Sequence, residues 1–425
     1  MTTSLSGCKV MHGSLRPKKF EYLFLLLAFT SLLLLPSSEQ HDCCEREKSY
    51  VEDADLFTIS YEDSFKMVKN LLHNISYKLM EKDSNVSAFN RCKNTRSFHI
   101  PLNNYTTDST ISVAYFELLG ILYKMKGVTT DYISSPCALK YIRQGKIKPI
   151  NASDPAQSSS YEGVFTSLNP SSETTRCTNI NFDSTFDPGP LKRAEWIKYI
   201  ATFFNCEKRA TYVYNKIKDN YNCLKKQASN ATKKKPNVAW LSYYQGIWSF
   251  SGATYKLQYI LDAGGIALNP PESTFNMSKQ KDVQLFHSYL ERLEVLIDET
   301  YAPIPKDYTL NSFLNAALIN SSQTASFAFL KHKALWRYDK RVGNTYGLDW
   351  FEGAIAQPQV VLWDLIQAFN RSDYYITVYF RNVAKGESMV NTSKLNCSHT
   401  IKTPLQPEII PCHLTVPLDL TQILS

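Results

Sequence analysis

A helical stretch of about forty residues in the middle of the chain constrains the fold more than any other feature. After the breaker FDPGP, the segments LKRAEWIKYIATFFN and EKRATYVYNKIKDNYNCLKKQA carry apolar residues three and four positions apart, the spacing of one buried helix face. They predict a linking helix over 190–230, with Asn205 as a candidate for a local break. Because it lies between two segments in which strands and helices alternate, a helix of this length is most simply a rigid spine joining two lobes.

Short strands alternate with helices on both sides of this stretch, which indicates a parallel sheet with helices on its faces in each lobe. The sequence therefore predicts an α/β fold with an N-terminal lobe over 95–189 and a C-terminal lobe over 231–372. An N-terminal extension (41–94) and a C-terminal tail (373–425) flank them. The expected strands are 56–61, 96–102, a short one within 127–135, 177–182, 237–244 and 294–300, and the expected helices are 65–79, 111–125, 162–170, 253–265, 279–293 and 358–369.

The first forty residues have the layout of a secretory signal peptide. Basic residues precede an apolar run from Tyr22 to Leu35, which is short of the roughly 20 residues that span a bilayer. A retained signal anchor is the alternative, so the chain is expected to be secreted or held at the cell surface. Ten glycosylation acceptor sequons agree with export: Asn74, Asn85, Asn104, Asn151, Asn230, Asn276, Asn320, Asn370, Asn391 and Asn396.

Nine cysteines follow the predicted signal peptide, and export makes disulfides the expected state. The odd number leaves at least one thiol free or paired to another chain. Cys397 and Cys412 are the easiest pair to predict, because they would close a short loop in a tail with little else to hold it.

Charge and motifs exclude several functions. The net charge of +8 falls to +6 without residues 1–40, which is mild for this size and speaks against a nucleic-acid partner. The chain has no phosphate-binding loop, nucleophile elbow or metal-ligand spacing of histidines. We therefore predict no catalytic residue, no metal site and no catalytic cofactor.

Aromatic and hydroxyl side chains cluster where the predicted strands end. Ligands of open α/β sheets bind beyond the carboxyl ends of the strands, and amphipathic rings there suit a large, partly apolar ligand. Core packing is the alternative for each ring. The candidate ligand-binding residues are Tyr105, Ser134, Ser135, Tyr243, Tyr244, Trp248, Asp349, Trp350 and Glu352.

The order of three motifs resembles a known family. YEGVFTSLNP, FSGATYKLQYILDAGG and the DWFE of Asp349–Glu352 are similar to segments of the periplasmic substrate-binding proteins whose two Rossmann-like lobes are joined by a single helix. That family serves importers of vitamin B12, iron siderophores, haem and metals. Export and sequons point to a branch similar to eukaryotic cobalamin-acquisition proteins.

The resemblance implies a ligand cleft between the lobes. Trp350 takes the position of a tryptophan that lines the B12 cleft, Tyr243, Tyr244 and Trp248 lie in a ligand-facing loop, and Ser134 and Ser135 lie at the cleft edge. The expected function is capture of a large cofactor such as cobalamin, with a membrane transporter or receptor as partner. A siderophore, haem or metal-binding protein is the alternative, as is a surface glycoprotein that has lost its ligand.

Overall fold

The computed structural model describes residues 47–82, 94–151, 154, 157, 160–167, 177–230, 234–370, 374–397 and 400–412. The predicted signal peptide and the sequon Asn85 lie outside these residues. Within them, no helix combines the length and apolar character that crossing a membrane requires.

The N-terminal extension begins a four-stranded sheet of its own. Strands β1 to β3 form an antiparallel meander, and β4 joins it parallel to β3. The predicted helix over 65–79 is therefore wrong: Ile75, Tyr77 and Leu79 are buried at every second position, which is the period of a strand. The strand expected at 96–102 exists but belongs to this sheet. The strands are β1 (Phe57–Tyr61), β2 (Lys66–Asn70), β3 (Ile75–Glu81) and β4 (Thr95–Ile100).

The first lobe contains a five-stranded parallel sheet in the order β7-β6-β5-β8-β9. The chain runs outward from the centre in both directions, as in doubly wound folds. The predicted helix over 162–170 is wrong where it is described, because residues 163–166 form an inner strand of the sheet, paired on its two sides with β5 and β9. The elements are β5 (Tyr105–Thr107), α1 (Val113–Leu119), β6 (Met125–Val128), α2 (Pro136–Arg143), β7 (Lys148–Pro149), β8 (Gly163–Thr166) and β9 (Asn179–Asn181).

The predicted linking helix is present as three consecutive helices, α3 (Pro190–Ala194), α4 (Trp196–Thr202) and α5 (Glu207–Asn230). The break falls at Asn205, as the sequence suggests, and that residue has a positive φ of 58°. Near its start α5 packs into the first core through side chains such as Val213, and further along it packs into the second core through Leu224. One rigid helix thus enters both cores.

The second lobe has a seven-stranded mixed sheet in the order β13-β11-β10-β14-β15-β17, with β12 paired to the start of β10. The expected loop after β10 contains a strand instead, since β11 forms a hairpin with β10. The strands are β10 (Asn237–Tyr244), β11 (Ile247–Phe250), β12 (Ile266–Ala267), β13 (Thr274–Asn276), β14 (Val295–Asp298), β15 (Leu335–Arg337) and β17 (Arg381–Asn382). The helices are α6 (Thr254–Asp262), α7 (Gln280–Leu290), α8 (Leu310–Ala316), α9 (Ala328–Lys331), α10 (Gly353–Ala356) and α11 (Pro358–Phe369), the last as predicted with its proline in the first turn.

The described part of the C-terminal tail, residues 374–397 and 400–412, is a strap across both lobes. It adds β17 to the second sheet, pairs β18 (Val390–Asn391) with β16 (Arg341–Val342), and then crosses the first lobe to α5. Leu405 donates its N–H to the carbonyl of Glu117 in α1 at 2.8 Å. Asn220 of α5 exchanges two hydrogen bonds with the backbone of Ile410.

Two disulfides fix this strap, and they correct the predicted pairing of Cys397 with Cys412. Cys397 is bonded to Cys137 of α2, and Cys412 is bonded to Cys223 of α5, with Cα separations of 4.9 and 6.2 Å. The two cysteines lie close in sequence, but the extended strap carries them to different elements. No cysteine among the described residues is free. Such long-range disulfides are typical of chains that fold in an oxidising compartment.

Candidate ligand site at the junction of the two lobes

The loops that follow the parallel strands of the two sheets face and touch each other. Thr110, after β5, donates its hydroxyl to the carbonyl of Phe351 in the second lobe at 3.3 Å. Thr345 donates its hydroxyl to the carbonyl of Asp131, after β6. The carboxyl ends of both sheets therefore border one junction, the place where ligands bind in this fold class.

A buried carboxylate makes three hydrogen bonds across this junction. Glu352 of the second lobe accepts the backbone N–H of Ser134 at 2.7 Å, that of Ser135 at 3.0 Å and the Ser134 hydroxyl at 2.8 Å. Asp349 accepts the same hydroxyl at 3.1 Å, and Ser135 donates its own hydroxyl to Glu117 of α1 at 2.6 Å. The predicted site residues Ser134, Ser135, Asp349 and Glu352 are thus brought together, and they bind one another.

The electrostatics of this cluster are unbalanced. Glu117, Asp349 and Glu352 are all buried, and the guanidinium that pairs with them is Arg341, whose Nε lies 3.0 Å from Asp349 Oδ2. Burial and the neighbouring Asp349 charge raise the pKa of Glu352 to about 8. Burial raises the pKa of Glu117 to about 7, and Asp349 contributes in the same direction.

Glycines allow the two lobes to approach this closely. A Cβ atom on Gly347 would lie 1.8 Å from the carbonyl oxygen of Tyr132, and one on Gly343 would lie 2.2 Å from that of Ile133. Both carbonyls belong to the loop between β6 and α2. The second-lobe backbone thus packs directly on the first-lobe loop, with no room for a side chain between them.

The neighbours Trp350 and Phe351 have opposite environments. Trp350 is 5% exposed, stacks on Tyr338 at 5.0 Å and lies 5.6 Å from both Trp240 and Phe380. Phe351 is 48% exposed at the junction, with its ring 5.9 Å from that of Tyr338. The resemblance implies that Trp350 lines the ligand cleft, whereas the structure buries Trp350 and exposes the ring that follows it.

The other predicted aromatic residues divide in the same way. Tyr105 and Trp248 are fully buried, and the Trp248 indole donates its N–H to the carbonyl of Ala316 at 2.9 Å. Tyr243 is half-buried against Trp248, at 5.3 Å between ring centres. Tyr244 is 70% exposed near the tip of the β10–β11 hairpin. Of these four, Tyr244 is the ring most available to a ligand.

Tyr132, which comes after β6 in the same loop as the predicted residues Ser134 and Ser135, is 58% exposed. Two further exposed rings that follow strands are absent from the predicted set: Phe186 after β9 and Tyr301 after β14, which are 60 and 80% exposed. The signal that could have found them is their position a few residues past a strand end. Two further rings of the second lobe are half-buried: Tyr338, and Tyr255, whose ring is 3.5 Å from the guanidinium of Arg193.

The predicted glycosylation sites lie mostly on the surface. Asn104 is an exception, because its side-chain amide donates to the carbonyl of Ser160 at 2.9 Å. Asn276 and Asn391 are also half-buried. The sequons with exposed asparagines are Asn74, Asn151, Asn230, Asn320, Asn370 and Asn396. In the described part of the chain, no group of three or more His, Cys, Asp or Glu side chains could hold a metal ion.

No family model matches this sequence, and neither does any curated protein. Solved structures with a similar chain path include a periplasmic binding protein from Veillonella parvula, at 11% identity and a TM-score of 0.48, covering 76% of this chain and 99% of that one. The siderophore-binding protein BauB, bound to acinetobactin and ferric iron, matches at 11% identity and a TM-score of 0.47, covering 64% of this chain and 94% of that one. A periplasmic haem-binding protein from Pseudomonas aeruginosa matches at 13% identity and a TM-score of 0.44, covering 68% of this chain and 99% of that one. At such identities no ligand or residue role passes from these proteins to this chain.

Proposed function

We propose that this chain is an exported solute-binding protein that captures a large, partly aromatic small molecule between its two lobes. The proposal implies no reaction. The observation that carries it is the set of exposed aromatic rings that follow strand ends in both lobes: Tyr132 and Phe186 in the first, and Tyr244, Tyr301 and Phe351 in the second. Rings left in water at facing sheet ends offer apolar faces to a ligand.

Cobalamin is the first ligand that we propose, on the sequence resemblance, and haem and ferric siderophores are the alternatives. All three are large molecules with extended apolar or aromatic surfaces. Tyrosine hydroxyls at the rim, such as those of Tyr244 and Tyr301, could hydrogen-bond the polar periphery of each of them. A transporter or receptor in the membrane would then be the partner that takes up the captured molecule.

Calorimetry of the secreted, purified protein with cyanocobalamin, haemin and a ferric catecholate siderophore tests the proposal. We expect saturable binding of one of them at a stoichiometry of one. Tyr301→Ala should weaken that binding at least tenfold, or about 1.4 kcal/mol, if the ring stacks on the ligand. Tyr50→Ala is the matched control, because Tyr50 is 66% exposed but lies in the N-terminal extension.

The outcomes separate the versions of the proposal. If haemin or the siderophore bound and cobalamin did not, the ligand would change but the protein would still be a solute-binding protein. If Tyr301→Ala and Tyr50→Ala lost the same amount of binding free energy, the ligand would lie away from Tyr301. Absence of heat for all three molecules would overturn capture of this kind of ligand.

A second candidate is a surface glycoprotein that keeps the fold without a ligand. The direct contacts of Glu352 with Ser134 and Ser135 favour it, because they fill part of the junction with protein atoms. Two surface grooves of about 700 and 600 Å³ are lined by other residues, one by Tyr308 and Arg381 and the other by Tyr61 and Glu207. Visible absorption of protein purified from its native host distinguishes this candidate, since a corrinoid or haem would colour the protein.

A further inference from the structure

Three buried carboxylates and one guanidinium meet where the two lobes touch. Glu117 belongs to α1 of the first lobe, while Asp349, Glu352 and Arg341 belong to the second. If every group were ionised, the cluster would carry a net charge of minus two in a largely buried space. Like charges in such a space cannot all ionise at neutral pH, so the closed junction retains protons.

The surrounding elements do not neutralise this charge. From the first lobe, Ser134 and Ser135 contribute uncharged donors. From the strap, the Tyr379 hydroxyl interacts electrostatically with Asp349 and Arg341, and burial raises its pKa so that it stays neutral. Glu408 of the strap is exposed and adds a further negative charge beside Arg341 and Asp349.

We propose that this cluster is a proton-dependent latch, which holds the two lobes together while it retains protons and loosens as the protons are lost. The contact that loosens is the set of hydrogen bonds that Ser134 and Ser135 of the first lobe donate to Glu352 of the second. The latch concerns the protein itself and does not depend on the identity, or the existence, of a ligand.

The direction of the pH effect follows from proton linkage. In the closed junction the pKa values of Glu117 and Glu352 lie above the ordinary value of 4.5, and opening returns both groups to water, where they ionise readily. Opening therefore releases protons, and a rise in pH favours it. The latch is strongest below about pH 4.5, weakens progressively as the pH rises through 7, and is weakest above about pH 8. An acidic compartment keeps the lobes joined.

Hydrogen exchange of the ligand-free protein, read by mass spectrometry between pH 5.5 and 8.5, tests the latch. After correction for intrinsic exchange, the opening constant of peptides that contain Ser134 and Ser135 should rise up to tenfold per pH unit for each proton released. Glu117→Gln should reduce this slope, and Glu117→Gln with Glu352→Gln should abolish it. Glu117→Gln alone keeps the test sharp if the double variant does not fold.

Glu195→Gln is the matched control. Glu195 is also fully buried and accepts three backbone N–H groups, those of Glu52, Asp53 and Ala54, but it is paired with Lys198 at 2.7 Å. It should lower stability and leave the pH slope at Ser134 and Ser135 unchanged. A flat slope in the wild-type protein would overturn the latch, and so would an unchanged slope in Glu117→Gln.

Discussion

Replacement of Trp350 and of Phe351 by alanine should have opposite consequences, although the two residues are adjacent. The Trp350 indole is almost fully buried against Trp240, Tyr338 and Phe380. Its loss leaves a large cavity, which costs about 3–5 kcal/mol for a buried tryptophan. The Phe351 ring is 48% exposed, so the buried half of its area, ~100 Å² at ~25 cal/mol per Å², contributes only about 2.5 kcal/mol.

Two assays on the same variants separate stability from binding. In urea unfolding, Trp350→Ala should lose more free energy of unfolding than Phe351→Ala loses. In ligand titration of the folded fraction, Phe351→Ala should weaken binding at least tenfold, and Trp350→Phe, which keeps an aromatic ring in the core, should bind normally. Normal binding by Phe351→Ala, with a tenfold loss for Trp350→Phe, would refute the assignment and return the stacking role to Trp350.

Two other predictions concern how the lobes are held. Gly347→Ala should lower the melting temperature by several degrees, because its Cβ would overlap the Tyr132 carbonyl. Gly252→Ala is the control and should melt like the wild type, because the nearest neighbour of its Cβ would lie 4.0 Å away. Equal melting temperatures of the two variants would contradict the close contact at Gly347. Cys412→Ser should reduce the free energy of unfolding by about 2–5 kcal/mol and expose one new thiol, that of Cys223, to a thiol reagent. An unchanged thiol count would argue against that disulfide.

The sequence predicts local features of this fold well where one periodicity dominates. The helix from Pro358 to Phe369 is found as expected, because its apolar residues recur at helical spacing and proline suits its first turn. The strand at 237–244 and the break at Asn205 are likewise confirmed. Each of these depends on neighbouring residues alone, which is the information that a single sequence carries.

The wrong predictions have a common physical cause, since each depends on residues that are close in space but distant in sequence. The segment 163–166 becomes a strand because it fits between β5 and β9, and its apolar run fits either structure. Trp350 and Phe351 are equally apolar, and only the packing of Tyr338 and Trp240 decides which ring is buried. The partners of Cys397 and Cys412 are 260 and 189 residues away in sequence, so no local spacing could reveal them.

The cysteine pairing also determines the order in which the chain can mature. Cys137 lies early in the chain, and its partner follows 260 residues later. The first lobe therefore emerges from synthesis without the native partner of this thiol, which follows only when Cys397 has been made. A chain that stops before Cys397 would keep all five strands of the first-lobe sheet and still lack this disulfide on α2. A residue far outside the first lobe in sequence thus completes the covalent structure of that lobe.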